Sequence, residues 1–170
     1  MRNILLVALL LNFQLFFAQA DAFTTSTSKD GKYSIKHLKT WSVAFQNNGC
    51  EMAITVPASK ANQIEAEYRL TKEDNLPKDF NLEMLTTRNS LLISKFLVAS
   101  AEESGSANFN GLTPNWVTYT YEDKMTTIKG RSYFFLINGV AYQLTLTAPE
   151  NDFKTSAVLF QQVAESLTIK

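Results

Sequence analysis

The 170-residue chain has one cysteine and one histidine, so it can form no internal disulfide and no multi-histidine metal site. It has no excess charge of either sign, because 16 Lys and Arg stand against 16 Asp and Glu. That balance excludes the basic footprint of a nucleic-acid binder. Four prolines and six glycines are few, and they fall between or at the ends of the periodic runs, with Gly130 the main exception. There is no Gly-rich phosphate loop, no G-x-S-x-G elbow and no paired-cysteine zinc motif. No internal repeat and no dividing linker is found either, so a single domain is expected.

What the chain does have is 45% apolar and 19% charged residues, the composition of a folded globular protein. Residues 1–20 read as a secretory signal peptide. Arg2 supplies the positive start, Ile4 to Leu11 is an unbroken apolar run, and Ala18-Gln19-Ala20 offers small residues at the cleavage positions. A membrane anchor would need about 20 continuous apolar residues, and Asn12 and Gln14 interrupt this run. Cleavage after Ala20 removes Arg2 and leaves one more acid than base. Residues 21–30, Ser/Thr-rich and polar, are expected as a flexible lead-in, and residues 31–170 as the folded domain.

Within that domain the expected strands are 32–37, 51–56 and 63–70, the last alternating Ile64, Ala66, Tyr68 and Leu70 with polar residues. After Pro77, Asp79 or Asn81 can cap a helix running to about Ser94, with Leu82, Leu85, Leu92, Ile93 and Phe96 near helical spacing. Residues 97–101 allow a short strand, and 102–110 is expected as a polar surface loop. A strand over 116–121 carries Val117, Tyr119 and Tyr121 on one side. The strongest local signal is Asn138-Gly139 between two β-rich runs, the dipeptide of a tight hairpin. A two-residue turn there pairs Ile137 with Val140, Phe135 with Tyr142 and Tyr133 with Leu144. A last helix, capped by Asn151 or Asp152, places Phe153, Ala157, Phe160, Val163 or Ala164, and Leu167 on one stripe. Together these elements predict an α+β fold with a central antiparallel sheet packed with helices.

The order of these elements resembles the PsbP-like superfamily, which includes photosystem II extrinsic subunits, DcrB-type periplasmic proteins and a Ran-binding nuclear import factor. The residues that carry the resemblance are Gly31-Lys32-Tyr33-Ser34-Ile35 followed by Trp41, then the helix after Pro77 and the Gly111-Leu112-Thr113-Pro114 turn before the 116–121 strand. Val140-Ala141-Tyr142-Gln143-Leu144-Thr145 and the close from Phe160 to Ser166-Leu167-Thr168-Ile169 complete it. The family usually has a proline before the tryptophan, where this chain has His37-Leu38-Lys39-Thr40. The resemblance implies an α/β/α sandwich and a bacterial partner-binding or assembly role, and it transfers no catalytic residue.

Two sets of side chains could carry chemistry. Cys50 and His37 are the one thiol and the one imidazole, and a nucleophile–base pair would need them within hydrogen-bond reach. A buried Cys50 acting as a small hydrophobe is the plainer reading, followed by intermolecular pairing. Glu65 and Glu67 share a strand face and could hold a hard cation, although any solvated strand face looks the same. The aromatics are concentrated in the sheet, and most of them suit a core. If one face stays uncovered, Trp41, Trp116, Tyr119 and Tyr121 are the candidates for a partner- or ligand-binding surface. The expectation is therefore an exported, non-enzymatic binding or assembly-accessory module of the cell envelope, periplasmic or secreted. It needs no cofactor or metal and contacts a protein partner or small ligand. The alternatives are a hydrolase using Cys50 and His37, and a structural subunit of a larger envelope complex.

Overall fold

The computed structural model describes residues 22–57, 66–109 and 111–170. The described elements run β1 (Phe23–Thr27), β2 (Tyr33–Leu38), β3 (Ser42–Asn47), β4 (Cys50–Val56), β5 (Ala66–Glu73), α1 (Leu82–Leu97), β6 (Ser100–Ser106), β7 (Asn115–Asp123), β8 (Thr126–Ile137), β9 (Val140–Pro149), α2 (Glu150–Glu165) and β10 (Thr168–Ile169). Seven strands form one sheet in the order β3-β4-β5-β9-β8-β7-β6, and a smaller sheet has the order β1-β2-β10. The strand pairs of both sheets are antiparallel. The signal-peptide reading of residues 1–20 lies outside the described residues.

The Asn138-Gly139 turn is built as expected. Both residues have positive φ, 52° and 77°, the backbone that matches the twist of the flanking strands. The resulting register pairs Ile137 with Val140, Phe135 with Tyr142 and Tyr133 with Leu144. Asn48-Gly49 repeats the device, with φ of 49° and 77°, and closes β3 onto β4 through the Asn47–Cys50 pair. The sequence pattern marks only a boundary there, because β3 has just Val43 and Phe45 in alternation.

The register divides the large sheet into two faces. One carries Met52, Ile54, Leu70, Tyr133, Leu144 and Leu146 into a core closed by Phe153, Phe160, Val163 and Ala164 of α2 and by Tyr33 and Ile35 of the small sheet. The other carries Val117, Tyr119, Phe134 and Ala141 under α1. Helices on opposite faces make this an α+β sandwich.

Four boundaries differ from the sequence reading, each for a physical reason. Residues 23–27, expected as part of a flexible lead-in, form β1 at the edge of the small sheet. Residues 100–106, expected mostly as loop, form β6 at the edge of the large sheet, and all seven are exposed. Such edge strands are held by backbone hydrogen bonds on one side and bury little, so no apolar alternation announces them. The third strand begins at Ala66 and runs on to Glu73, and residues 63–65 lie outside the described residues. Finally, α2 begins at Glu150 behind Pro149, with no side-chain cap at Asn151 or Asp152. β9 runs directly into the helix there, and Glu150 and Asp152 face its N-terminal dipole instead.

Gly130 sits mid-strand in β8, where glycine ordinarily weakens a sheet. A Cβ there would lie 2.5 Å from the Tyr119 ring. The absent side chain lets Tyr119 lie across β8, buried to 2% exposure, its hydroxyl 3.4 Å from that of Ser132. Gly130→Ala is therefore expected to cost about 1–3 kcal/mol in urea unfolding. In a Tyr119→Ala background the same change should cost clearly less, and an equal cost in both backgrounds would refute the close-approach explanation.

Candidate functional site

His37 in β2 is 4% exposed. Its Nε2 meets the Ser26 hydroxyl at 2.8 Å, and its Nδ1 meets the Leu38 carbonyl oxygen at 2.8 Å. A carbonyl oxygen only accepts, so Nδ1 carries a hydrogen, and both ring nitrogens are engaged within the small sheet. Cys50 opens β4 in the large sheet, where its thiol is buried and unpaired with another sulfur and donates to the Asn48 carbonyl oxygen at 4.0 Å. The nucleophile–base pair of the hydrolase reading is thus not assembled, because each side chain is committed locally in a different sheet.

Only one of the two candidate carboxylates is among the described residues. Glu65 lies outside the described residues, and Glu67 accepts from Arg69 Nε at 2.8 Å. That bond raises the Arg69 guanidinium above its ordinary value. Among the described residues no group of three or more His, Cys, Asp or Glu side chains could hold a metal.

The four candidate aromatics fall on two faces instead of one surface. Trp41, 8% exposed, packs 5.3 Å from Tyr68 in the α2-side core and lines a narrow apolar cleft of about 170 Å³ with Leu38, Val56, Ala66 and Leu159. Trp116 packs against the same core. Its ring lies against Gly105 of the edge strand and under the Arg131 guanidinium, 4.8 Å from the ring centre. Tyr119 and Tyr121 stack 6.3 Å apart on the α1 side. Burial pushes the Tyr119 hydroxyl up to about 12, against a smaller opposing effect of Ser132, and burial, then Asp123, raises Tyr121. Trp41 and Tyr119 have almost no area left to offer a partner, since both complete a core.

Among the described residues, most of the exposed large apolar side chains lie on α1 or at its C-cap. Asn81 caps its start, accepting from the Met84 amide at 3.0 Å. Polar contacts then tether it to the sheet. Asn89 donates to Gln143 Oε1 at 3.0 Å, and Gln143 donates onward to Ser132 and Thr145. Arg88 grips the Glu73 carboxylate through both terminal nitrogens and stacks 5.0 Å over Phe80. Leu85 is the one α1 residue that is fully buried. Leu91, Phe96 and Val98 are 65%, 74% and 87% exposed, and Met84 and Leu92 are nearly half exposed. A groove of about 370 Å³ runs beside the helix over β5 and β9, with Leu85, Leu92 and Ile93 on one wall and Glu73 and Gln143 opposite.

The sequence reading names Leu82, Leu85, Leu92, Ile93 and Phe96 at near-helical spacing and leaves out Met84, Leu91 and Val98. A signal was available: apolar residues at 91, 92, 93, 96, 97 and 98 surround the helix, more than one face can bury.

No family model matches the chain, and no curated protein matches it. Solved structures do. The cyanobacterial PsbP (CyanoP) of Synechocystis sp. PCC 6803 superposes with TM-score 0.62 at 13% identity, covering 88% of this chain and 93% of that one. LpqN of Mycobacterium tuberculosis, described as involved in cell envelope biogenesis, gives 0.63 at 12%, covering 87% and 90%. The Saccharomyces cerevisiae Ran-binding protein Mog1p gives 0.58 at 8%, covering 86% and 95%. At these identities the likeness is one of architecture. With its two-faced antiparallel sheet, flanking helices and near-complete overlap with these structures, the chain has the fold of the PsbP-like superfamily.

Proposed function

We propose that this chain is an exported, non-enzymatic module of the cell envelope that works by contact, and that the contact is made by α1. The observation that carries this reading is the helix itself, which buries Leu85 and holds Met84, Leu91, Leu92, Phe96 and Val98 in water. Several large apolar side chains exposed on one helix mark a candidate interaction site, and here the helix is anchored by its polar residues. An aromatic such as Phe96 is the usual energetic centre of an interface. The neighbours in fold support a contact role, since one is described as Ran-binding and another by its part in cell envelope biogenesis. No helix among the described residues is long and apolar enough to cross a membrane. The charged start at Arg2 and the small residues at 18–20 support export by a cleaved segment.

Three measurements check this. Edman sequencing of the protein recovered from its native host should start at Asp21, and a product still beginning at residue 1 would defeat the export reading. A photoreactive benzoylphenylalanine at position 96 should crosslink in living cells while the same group at Val158, exposed on α2, should not. Equal crosslinking at both positions, or none at either, would overturn α1 as the contact surface. Finally, Cys50 should react with an aromatic disulfide reagent only after unfolding. Rapid labelling of the folded protein would reopen the thiol-enzyme alternative.

A further inference from the structure

We infer that the outward face of the small sheet docks on an anionic phospholipid membrane, so that the chain sits at a membrane surface with α1 turned away from it. This goes beyond the contact reading of α1 and rests on a different part of the molecule.

The first observation is where the charge lies. Residues 22–41 and 166–170, which hold β1, β2 and β10, carry Lys29, Lys32, Lys36, Lys39 and Lys170 against the single acid Asp30. Residues 42–165 carry ten Lys and Arg against fourteen Asp and Glu. The balanced composition is therefore a charge of +4 on the small sheet offset by −4 on the rest. A local patch of this kind acts on a partner whatever the total charge is.

The second is the face on which the lysines stand. Strand side chains alternate. Tyr33, Ile35 and His37 of β2 are buried toward the core, so Ser34 and Lys36 point outward, with Lys32 in line before them. Thr25 and Thr27 of β1 pair with Lys36 and Ser34, and Thr168 of β10 pairs with Ser34. The Lys170 amide donates to the Lys32 carbonyl oxygen at 3.0 Å, which sets those two residues side by side. The face thus carries long lysines among short hydroxyl side chains.

The third is that these charges are unspent. Arg69, Lys72, Arg88 and Lys129 are ion-paired, whereas none of the five small-sheet lysines has a carboxylate partner among the described residues. Asp30 is engaged in its own turn, accepting from the Ser28 hydroxyl at 2.6 Å and the Lys32 amide at 3.1 Å. Lys36 Nζ lies 5.2 Å over the Phe23 ring, a pairing of ammonium and apolar surface that suits the headgroup boundary.

The occupant follows from the chemistry of the patch. Lysine is a compact charge on a flexible stem, without the planar fork that arginine offers to one carboxylate or phosphate. Five lysines spread along β2 and its ends match a charged plane, and a leaflet of anionic headgroups is such a plane. Each lysine brought near it strengthens partitioning about fivefold. The expected leader points to the same surface, because only Asp21 and Ala22 separate the cleavage point after Ala20 from β1. The small sheet is then the part of the fold next to the membrane when the leader is cut. Tyr33 and Ile35 pack into the α2-side core, while α1 covers the opposite face of the large sheet. A chain seated on its lysines therefore presents α1 to the aqueous side.

Co-sedimentation of the chain beginning at Asp21 with lipid vesicles tests this. Binding is expected to vesicles of about one part phosphatidylglycerol to three of phosphatidylcholine, with none to phosphatidylcholine alone. It should be lost on raising NaCl from about 0.05 to 0.5 M. The double variant Lys32→Gln/Lys36→Gln should bind about 25-fold more weakly with an unchanged circular dichroism spectrum. Lys78→Gln/Lys124→Gln, which removes the same charge away from the small sheet, should bind as the parent does. An environment-sensitive fluorophore on Thr27→Cys should shift to the blue on the anionic vesicles, and one on Met125→Cys should not. Equal binding to both kinds of vesicle, equal loss in both double variants, or equal shifts at both labels overturns the inference. So does a chain that ignores vesicles and is retained on heparin in a salt-sensitive way, which identifies a soluble polyanion as the occupant.

Discussion

The register of the β8–β9 hairpin decides what every layer of this protein rests on. Asn138 and Gly139 turn the chain in two residues, and from that point Tyr133, Phe135, Tyr142 and Leu144 face α2 while Ser132, Phe134, Ala141 and Gln143 face the other way. Strand side chains alternate strictly, so a slip of one residue would send the first set to the α1 side and the second into the α2 core. Both flanking strands continue this division. β5 adds Tyr68 and Leu70 to one face and Arg69 and Thr71 to the other, and β7 adds Val117 and Tyr119 beneath α1.

The two faces are held by different physics. Toward α2 the contact is dry: Phe160 is fully buried, 4.9 Å from the Tyr68 ring and 5.5 Å from that of Tyr133. Burial of such rings dominates the stability of a small domain. Toward α1 the contact is small and partly polar. The chain of hydrogen bonds from Tyr119 through Ser132, Thr145 and Gln143 to Asn89 and the Arg88–Glu73 grip orient the helix, while Leu85 supplies its one fully buried anchor. Directional polar contacts fix position without consuming apolar surface. That leaves α1 placed yet largely uncovered, and the contact role proposed for it follows from this division of labour.

The candidate site was only partly legible. Trp41, Trp116, Tyr119 and Tyr121 stand out in the sequence because large aromatics are the usual interface anchors, but the same residues are the usual core fillers. Nothing local separates the two uses. Trp41 and Tyr119 went to the cores, Trp116 covers an edge strand at Gly105, and on α1 the apolar residues exceed what one face can bury. Cys50 and His37 were rightly seen as the one possible thiol–imidazole pair. Their separation followed from the split into two sheets, which no spacing in the chain announces.

The sequence by itself determined the Asn138-Gly139 turn, the positions of both helices to within a few residues, and the hairpin with its face assignment. All of these arise from neighbours in the chain: a dipeptide that tolerates positive φ, an asparagine that caps, an apolar period of two or 3.6. Tertiary structure alone decided the edge strands β1 and β6, because backbone ladders to distant strands hold them and their side chains bury little. It decided why Gly130 is a glycine, which depends on a ring eleven residues away in the chain. It also decided that α1 stays exposed, since a helical stripe shows that a surface is apolar, and only the width of the sheet beneath it determines how much is covered.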